Sequence, residues 1–213
     1  MIKKIAKENY VYIVLIVIFI LVFHIAINSE IHESIIKFDN DFFVAINDFR
    51  SNFLTSMFKI FTNFGNIYIP ALIIICLFIF KKNKWIGYLQ ASSYLIAGII
   101  TYLSKLLIAR PRPLVALIKI PSSYSFPSGH TLTSIVFYIM LAYLLTYKSE
   151  KEVRNSFIIL ATFFSLLIAF SRPYLGVHYL SDILGGMILS IPILLMLINI
   201  IDKNFSKKLS RKK

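Results

Sequence analysis

Cysteine is nearly absent from this sequence: Cys76 stands alone inside an apolar run, which excludes an internal disulfide and a cysteine metal cluster and leaves it a small apolar filler. Acidic residues are scarce, ten against 23 Lys and Arg, and between residues 49 and 201 only Glu150, Glu152 and Asp182 occur. Amphipathic periodicity is also missing from the longest apolar stretches. IVLIVIFILVF (13 to 23) and DILGGMILSIPILLMLINII (182 to 201) are apolar all round, where a soluble core of this size would show polar faces. What the 213 residues do have is 58% hydrophobic content and long apolar runs, the profile of an integral membrane protein.

The net charge of +13 sits at the ends of those runs: Lys3, Lys4, Lys7; Lys81, Lys82, Lys84; Lys148, Lys151, Arg154; and six cations from Lys203 to Lys213. Basic clusters flanking spans read as cytoplasmic anchors under the positive-inside rule, assisted by anionic lipid, and call for no nucleic acid. The expectation is an all-α integral membrane bundle forming one domain over residues 1–213. It has six transmembrane helices, about 10 to 27, 58 to 80, 85 to 107, 129 to 147, 155 to 171 and 183 to 201. Pro70 marks a kink in the second. The first could instead be a signal peptide, but no small-x-small cleavage site follows it. Segment 28 to 57 has apolar residues at rough helical spacing (Ile31, Ile35, Phe38, Phe42, Ile46) and is expected to be a helix lying in the interface between the first two spans.

With both termini and the loops near 81 to 84 and 148 to 154 on the cytoplasmic side of the cell membrane, segments 28 to 57, 108 to 128 and 172 to 182 share the other face. Three polar stretches meet there: KLLIARPRP (105 to 113), PSGH (127 to 130) and SRPYLGVHYLSD (171 to 182). Singly, each has a plain reading. Lys105 and Arg112 suit snorkelling cations, PSGH a helix start, and His178 with Asp182 an incidental pair at helical spacing. Together they describe an oxyanion site. Lys105, Arg112 and Arg172 supply cations, and Ser128 and Gly129 open a helix whose first N–H groups lack intrahelical partners. That set suits the charge spread over the equatorial oxygens of a phosphoryl group in transfer.

Four residues apart, His178 and Asp182 can share a helix face, with Asp182 accepting the Nδ1 proton and Nε2 left as a nucleophile. His130, on another loop, can protonate the leaving oxygen and later activate water. A two-metal phosphatase needs several bridging carboxylates; with one counted on this face, Asp182, the expectation is catalysis without metal or other cofactor. Arg110 reads as a solvated loop cation, Tyr174 and Tyr179 as interfacial aromatics, His24 and His32 as structural, and Gly185 and Gly186 as helix-packing positions.

The patterns K-x6-RP at Lys105 to Pro113, PSGH at Pro127 to His130 and SR-x5-H-x3-D at Ser171 to Asp182 resemble the three signature motifs of the type 2 phosphatidic acid phosphatase superfamily. The resemblance implies a six-helix membrane bundle and a phosphohistidine mechanism. It implies that His178 is the nucleophile, Asp182 its partner and His130 the acid, with Lys105, Arg112, Ser128, Gly129 and Arg172 on the phosphate. Vanadium-dependent haloperoxidases are similar in motif, but those are soluble, and the apolar runs favour a membrane phosphatase. The substrates this allows are undecaprenyl pyrophosphate, phosphatidylglycerophosphate, phosphatidic acid and diacylglycerol pyrophosphate, and the Ile-, Lys- and Asn-rich composition looks bacterial. Two alternatives stay open: a phosphotransferase using the same histidine, and a non-catalytic protein that grips or transports lipid headgroups. Oligomeric state is not legible.

Overall fold

A computed structural model describes residues 2–80 and 84–210, with backbone alone at 2–8 and 205–210; Lys81, Lys82 and the cations at 211–213 lie outside the described residues. Eight helices are described: α1 (Ile2–Ile27), α2 (Ile31–Asp48), α3 (Asn52–Asn63), α4 (Tyr68–Phe80), α5 (Trp85–Ile108), α6 (Gly129–Leu145), α7 (Lys151–Tyr174) and α8 (Leu180–Ser210). There is no strand among the described residues.

Helix α6 is the axis of the bundle, packing on α5, α7 and α8, while α1 lies against α8, α3 against α7 and α4 against α5. Leu132, Val136 and Met140 of α6 interlock with Leu189 and Ile193 of α8 and Ala97 of α5. Contact between helices in lipid comes from close packing of small groups, and Gly186 serves it against α6, whereas Gly185 makes room for Phe126 of the loop before α6. A Cβ on Gly185 would lie 2.2 Å from Cε2 of Phe126, and one on Gly186 3.1 Å from Cβ of Thr131. The outward faces of α1, α4, α5 and α7 are covered with exposed Ile, Leu, Val and Phe, the surface that hydrocarbon solvates.

Among the described residues, four helices are long and apolar enough to cross a bilayer, over Asn9–Ile27, Trp85–Ile108, Lys151–Tyr174 and Leu180–Asn204, and α3 with α4 makes a fifth if the bent pair is one span. Helix α6 has 17 residues, about 26 Å at 1.5 Å per residue, against a hydrocarbon core of about 30 Å.

Two expectations are corrected here. The stretch 28 to 57 is two helices, because Ser51 caps a new one, its side chain accepting from Leu54 N at 3.2 Å. The expected span 58 to 80 is interrupted at residues 64–67 with a 45° bend between α3 and α4. Pro70 is not the cause. It lies in the first turn of α4, where its missing N–H leaves no carbonyl unpaired.

Candidate active site

Helix α5 ends where Ala109 takes a left-handed backbone (φ 49°), which costs about 1 kcal/mol for a residue with a Cβ and swings the following arginines back toward α8. The loop that follows is laced to the α7–α8 turn. Leu117 N donates to Leu175 O at 2.9 Å, and Gly176 (φ 72°) accepts the close approach of the Val115 carbonyl, 2.0 Å from where a Cβ would stand.

At the centre, Nδ1 of His178 lies 3.2 Å from Oδ2 of Asp182, both side chains buried. Nη1 of Arg112 lies 3.0 Å from His178 Nε2, and since a guanidinium only donates, Nε2 is the acceptor nitrogen and Nδ1 carries the proton. Asp182 Oδ2 also accepts from Ser125 Oγ and from Tyr179 N at 3.0 Å, and Oδ1 accepts from Arg110. Burial holds the His178 imidazole far below its ordinary range, at about 3. The hydrogen bond to Asp182 and the charge of that carboxylate pull the imidazole up, Arg112 and Arg172 push it down, and burial outweighs both pulls. His178 is therefore neutral at physiological pH.

The cations converge on it. Lys105 Nζ donates to the carbonyls of Tyr124 and Ser125, the latter at 3.1 Å. Arg112 is spread over Ser123 O (2.7 Å), Val177 O (2.7 Å) and His178. Arg172, from the last turn of α7, donates from Nη1 to Thr62 Oγ1 of α3, and its buried Nε has no partner among the described residues. His130 lies within electrostatic reach of Arg172, His178, Arg112 and Lys105.

Ser128 caps α6, accepting from Thr131 N at 3.4 Å and Thr131 Oγ1 at 3.0 Å, while its own amide donates to the Asp182 carbonyl at 3.1 Å. What it has left to donate is its hydroxyl proton; Gly129 follows as the first helical residue. His130 Nε2 pairs with Asn66 Oδ1 at 3.0 Å, and Asn66 is fixed by donating to Asn63 Oδ1 at 3.0 Å. The break between α3 and α4 thus reaches the site. Gly65 within it lies against the imidazole, where a Cβ would come 2.6 Å from His130 Cδ2.

Two side chains expected at the surface are inside. Arg110 is 5% exposed, donating to Asp182 Oδ1 and Asp39 Oδ2 at 2.7 Å each; a charge at that depth is tolerated only because it is paired twice. Tyr174 is fully buried, its ring against Phe58 and its hydroxyl accepting from Ser51 N at 3.2 Å, so it ties α7 to the start of α3. Tyr179 is half-buried beneath Arg110, with the guanidinium 4.2 Å from its ring centre. His24 and His32, half-buried in α1 and α2, have no partner at Nδ1 among the described residues. Asp39 also corrects the carboxylate count from one to two; it accepts from Ser181 N (2.8 Å), Ser181 Oγ (2.6 Å) and Arg110.

The model of the PAP2 superfamily matches residues 87–206, which contain every residue of this centre except Asp39, Thr62, Asn63, Gly65 and Asn66. The chain belongs to that superfamily. It is 34% identical over 137 residues to phosphatidylglycerophosphatase B of Bacillus subtilis, covering 62% of this chain and 64% of that protein. It is 30% identical over 189 residues to an undecaprenyl-diphosphatase of Sulfolobus acidocaldarius, covering 86% and 87%. The crystal structure of a transmembrane PAP2-type phosphatidylglycerolphosphate phosphatase from Bacillus subtilis superposes with a TM-score of 0.77 at 27% identity, over 94% of this chain and 98% of that one. The chain is thus an all-helical, multi-pass membrane member of a family whose matched relatives are lipid phosphatases.

Proposed function

We propose that this chain is a lipid phosphatase that removes phosphate from a phosphomonoester or pyrophosphate headgroup through a phosphohistidine. The observation that carries the reading is the buried Asp182–His178 pair with Nε2 directed at a cationic guanidinium. In that arrangement, Nε2 attacks phosphorus and the bond to the leaving oxygen breaks as His130 delivers a proton to it. Asp182 stabilises the charge that appears on the imidazole. Arg112 moves from Nε2 to the phosphoryl oxygens, joined by Lys105, Arg172 Nε, the Ser128 hydroxyl and the first amides of α6. The incoming phosphoryl charge favours the protonated form of His130. Once deprotonated, His130 takes a proton from water, whose oxygen displaces Nε2 and releases inorganic phosphate.

No metal enters this scheme. Asp182 and Asp39 spend their lone pairs on protein donors, a poor basis for a bridged metal pair. Residues 1–213 act as one domain with six spans, counting the α3–α4 pair as one and α6 as a short span enclosed by α5, α7 and α8. Basic clusters hold both termini on the cytoplasmic side of the cell membrane, the site faces the opposite leaflet, and α2 lies in the interface. The names of the matched relatives direct attention to phosphatidylglycerophosphate and undecaprenyl pyrophosphate.

The test is phosphate release by purified protein in detergent from prenyl pyrophosphates and glycerolipid phosphates, with chelator present, beside His178→Ala. Release by the unaltered chain alone supports the reading and ranks the substrates. Release that needs an added divalent ion contradicts the metal-free scheme, and acceptor-dependent product without free phosphate points to phosphotransfer.

A further inference from the structure

Arg110 takes no part in the phosphate cradle, yet it is buried in ion pairs with two carboxylates. Nη1 donates to Asp182 Oδ1 and to Ser181 Oγ, both at 2.7 Å, and Nη2 donates to Asp39 Oδ2 at 2.7 Å. The ring of Tyr179 closes one face of the guanidinium at 4.2 Å. Asp39 is 2% exposed and stands on the stripe of α2 that also buries Ile46.

Asp182 must remain ionised without water and must present one oxygen to His178 at a fixed angle. A buried carboxylate left unpaired costs several kcal/mol. By occupying Oδ1, Arg110 leaves Oδ2 to receive His178 Nδ1 and fixes the plane of the carboxylate. It also moderates the negative charge that the imidazole feels. Asp39 in turn holds Arg110 from the far side, 71 residues earlier in the chain, so the guanidinium is fully seated only when α2 is docked. Helix α2 also walls a cavity of about 270 Å³ in which Asn40, Phe42 and Phe43 face Leu114, His178 and Tyr179. The wall of the cavity and the alignment of the dyad therefore depend on one ion pair.

We propose that Arg110 is a positioning residue for the Asp182–His178 pair, and that Asp39 couples the docking of α2 to it, so that the dyad is aligned only when α2 closes the cavity beside His178. This rests on the phosphatase reading of the site.

The experiment measures kcat, KM and the pH profile for Arg110→Gln, Asp39→Asn and the double variant, with a short-chain, micelle-soluble lipid phosphate as substrate. Arg110→Gln is expected to lower kcat roughly 10- to 100-fold, as outer partners that orient a catalytic group do, with little change in KM. The acid limb of its profile moves to higher pH, because Asp182, with its own partners His178, Ser125 and Tyr179 N, then acts on the imidazole unopposed by Arg110, while Arg112, Arg172, Lys105 and His130 face the pair as before. Asp39→Asn gives a smaller loss and adds little in the Arg110→Gln background, since the two act through one path. A structural residue would lower the melting temperature alone, so unchanged kcat and pH profile in Arg110→Gln overturn the proposal. Losses that simply multiply in the double variant overturn the coupling. Should Arg110→Gln fail to fold, Arg110→Lys keeps the charge but cannot reach both carboxylates; it is expected to lose kcat with an unmoved acid limb, and wild-type kcat there overturns the proposal equally. Failure of the unaltered chain to release phosphate from any substrate would instead remove the phosphatase reading itself.

Discussion

Arg112 donates from Nη1 to Nε2 of His178 at 3.0 Å, so the atom assigned the attack is covered by a cation assigned to the phosphate. The same contact selects the tautomer, because the nitrogen that accepts from a guanidinium cannot itself hold the proton. A phosphoryl group entering the cradle offers the guanidinium stronger, charge-assisted acceptors and frees Nε2 as it binds.

Arg112→Lys tests that exchange. An ammonium keeps the charge but loses the fork that serves Ser123, Val177 and Nε2 together. We expect kcat/KM to fall roughly 100-fold, about 2.7 kcal/mol, with weaker inhibition by vanadate. Wild-type vanadate affinity would contradict the contact.

Asp182→Asn leaves the shape and removes the acceptor that fixes Nδ1–H. A fall in kcat of roughly 10³-fold is expected, with substrate binding retained because the cations are untouched. Unchanged kcat would take Asp182 out of the dyad.

Gly65→Ala carries the least obvious prediction, since Gly65 matches no motif. Its new methyl would meet His130 Cδ2 at 2.6 Å and Ile168 Cγ2 at 2.8 Å. Displacing His130 should lower kcat roughly 100-fold, the lower end of what general acid–base catalysis contributes, while phosphate binding holds. Normal kcat in a folded Gly65→Ala protein would show that the break between α3 and α4 does not set the acid.

Stability should report on His178 through pH. Its folded pKa, lowered to about 3 by burial, lies below the unfolded value of about 6.5, so between the two the unfolded chain binds more protons and stability falls as pH falls. The loss approaches about 1.4 kcal/mol per pH unit below pH 6.5 from this group alone. His178→Gln should lose less melting temperature between pH 7 and pH 5 than the unaltered chain; equal losses would mean that the imidazole is not held neutral.

The residues that the sequence makes legible are those whose chemistry recurs in short motifs: Lys105, Arg112, PSGH, Arg172, His178 and Asp182 do fall around one centre. Asp39 was not legible. The apolar spacing over segment 28 to 57 does pick out Ile35, Phe42 and Ile46 on the stripe that docks, alongside Ile31 and Phe38, which are exposed; Asp39, buried on the same stripe, is passed over because it is not apolar. A carboxylate on a buried stripe signals a distant cation, and Arg110, hidden among loop prolines, was that cation. The broken α3–α4 pair escaped because hydropathy averages over a break of four residues, and Asn66 faces His130 only after the bend is made.

Trapping of the phosphoenzyme tests the central claim most directly. With 32P-labelled substrate and a rapid quench that preserves acid-labile phosphoramidate, His130→Ala, slowed in hydrolysis of the intermediate, should carry label on the peptide containing residue 178, and His178→Ala should carry none. Label on another residue, or efficient phosphate release by His178→Ala, would contradict the account.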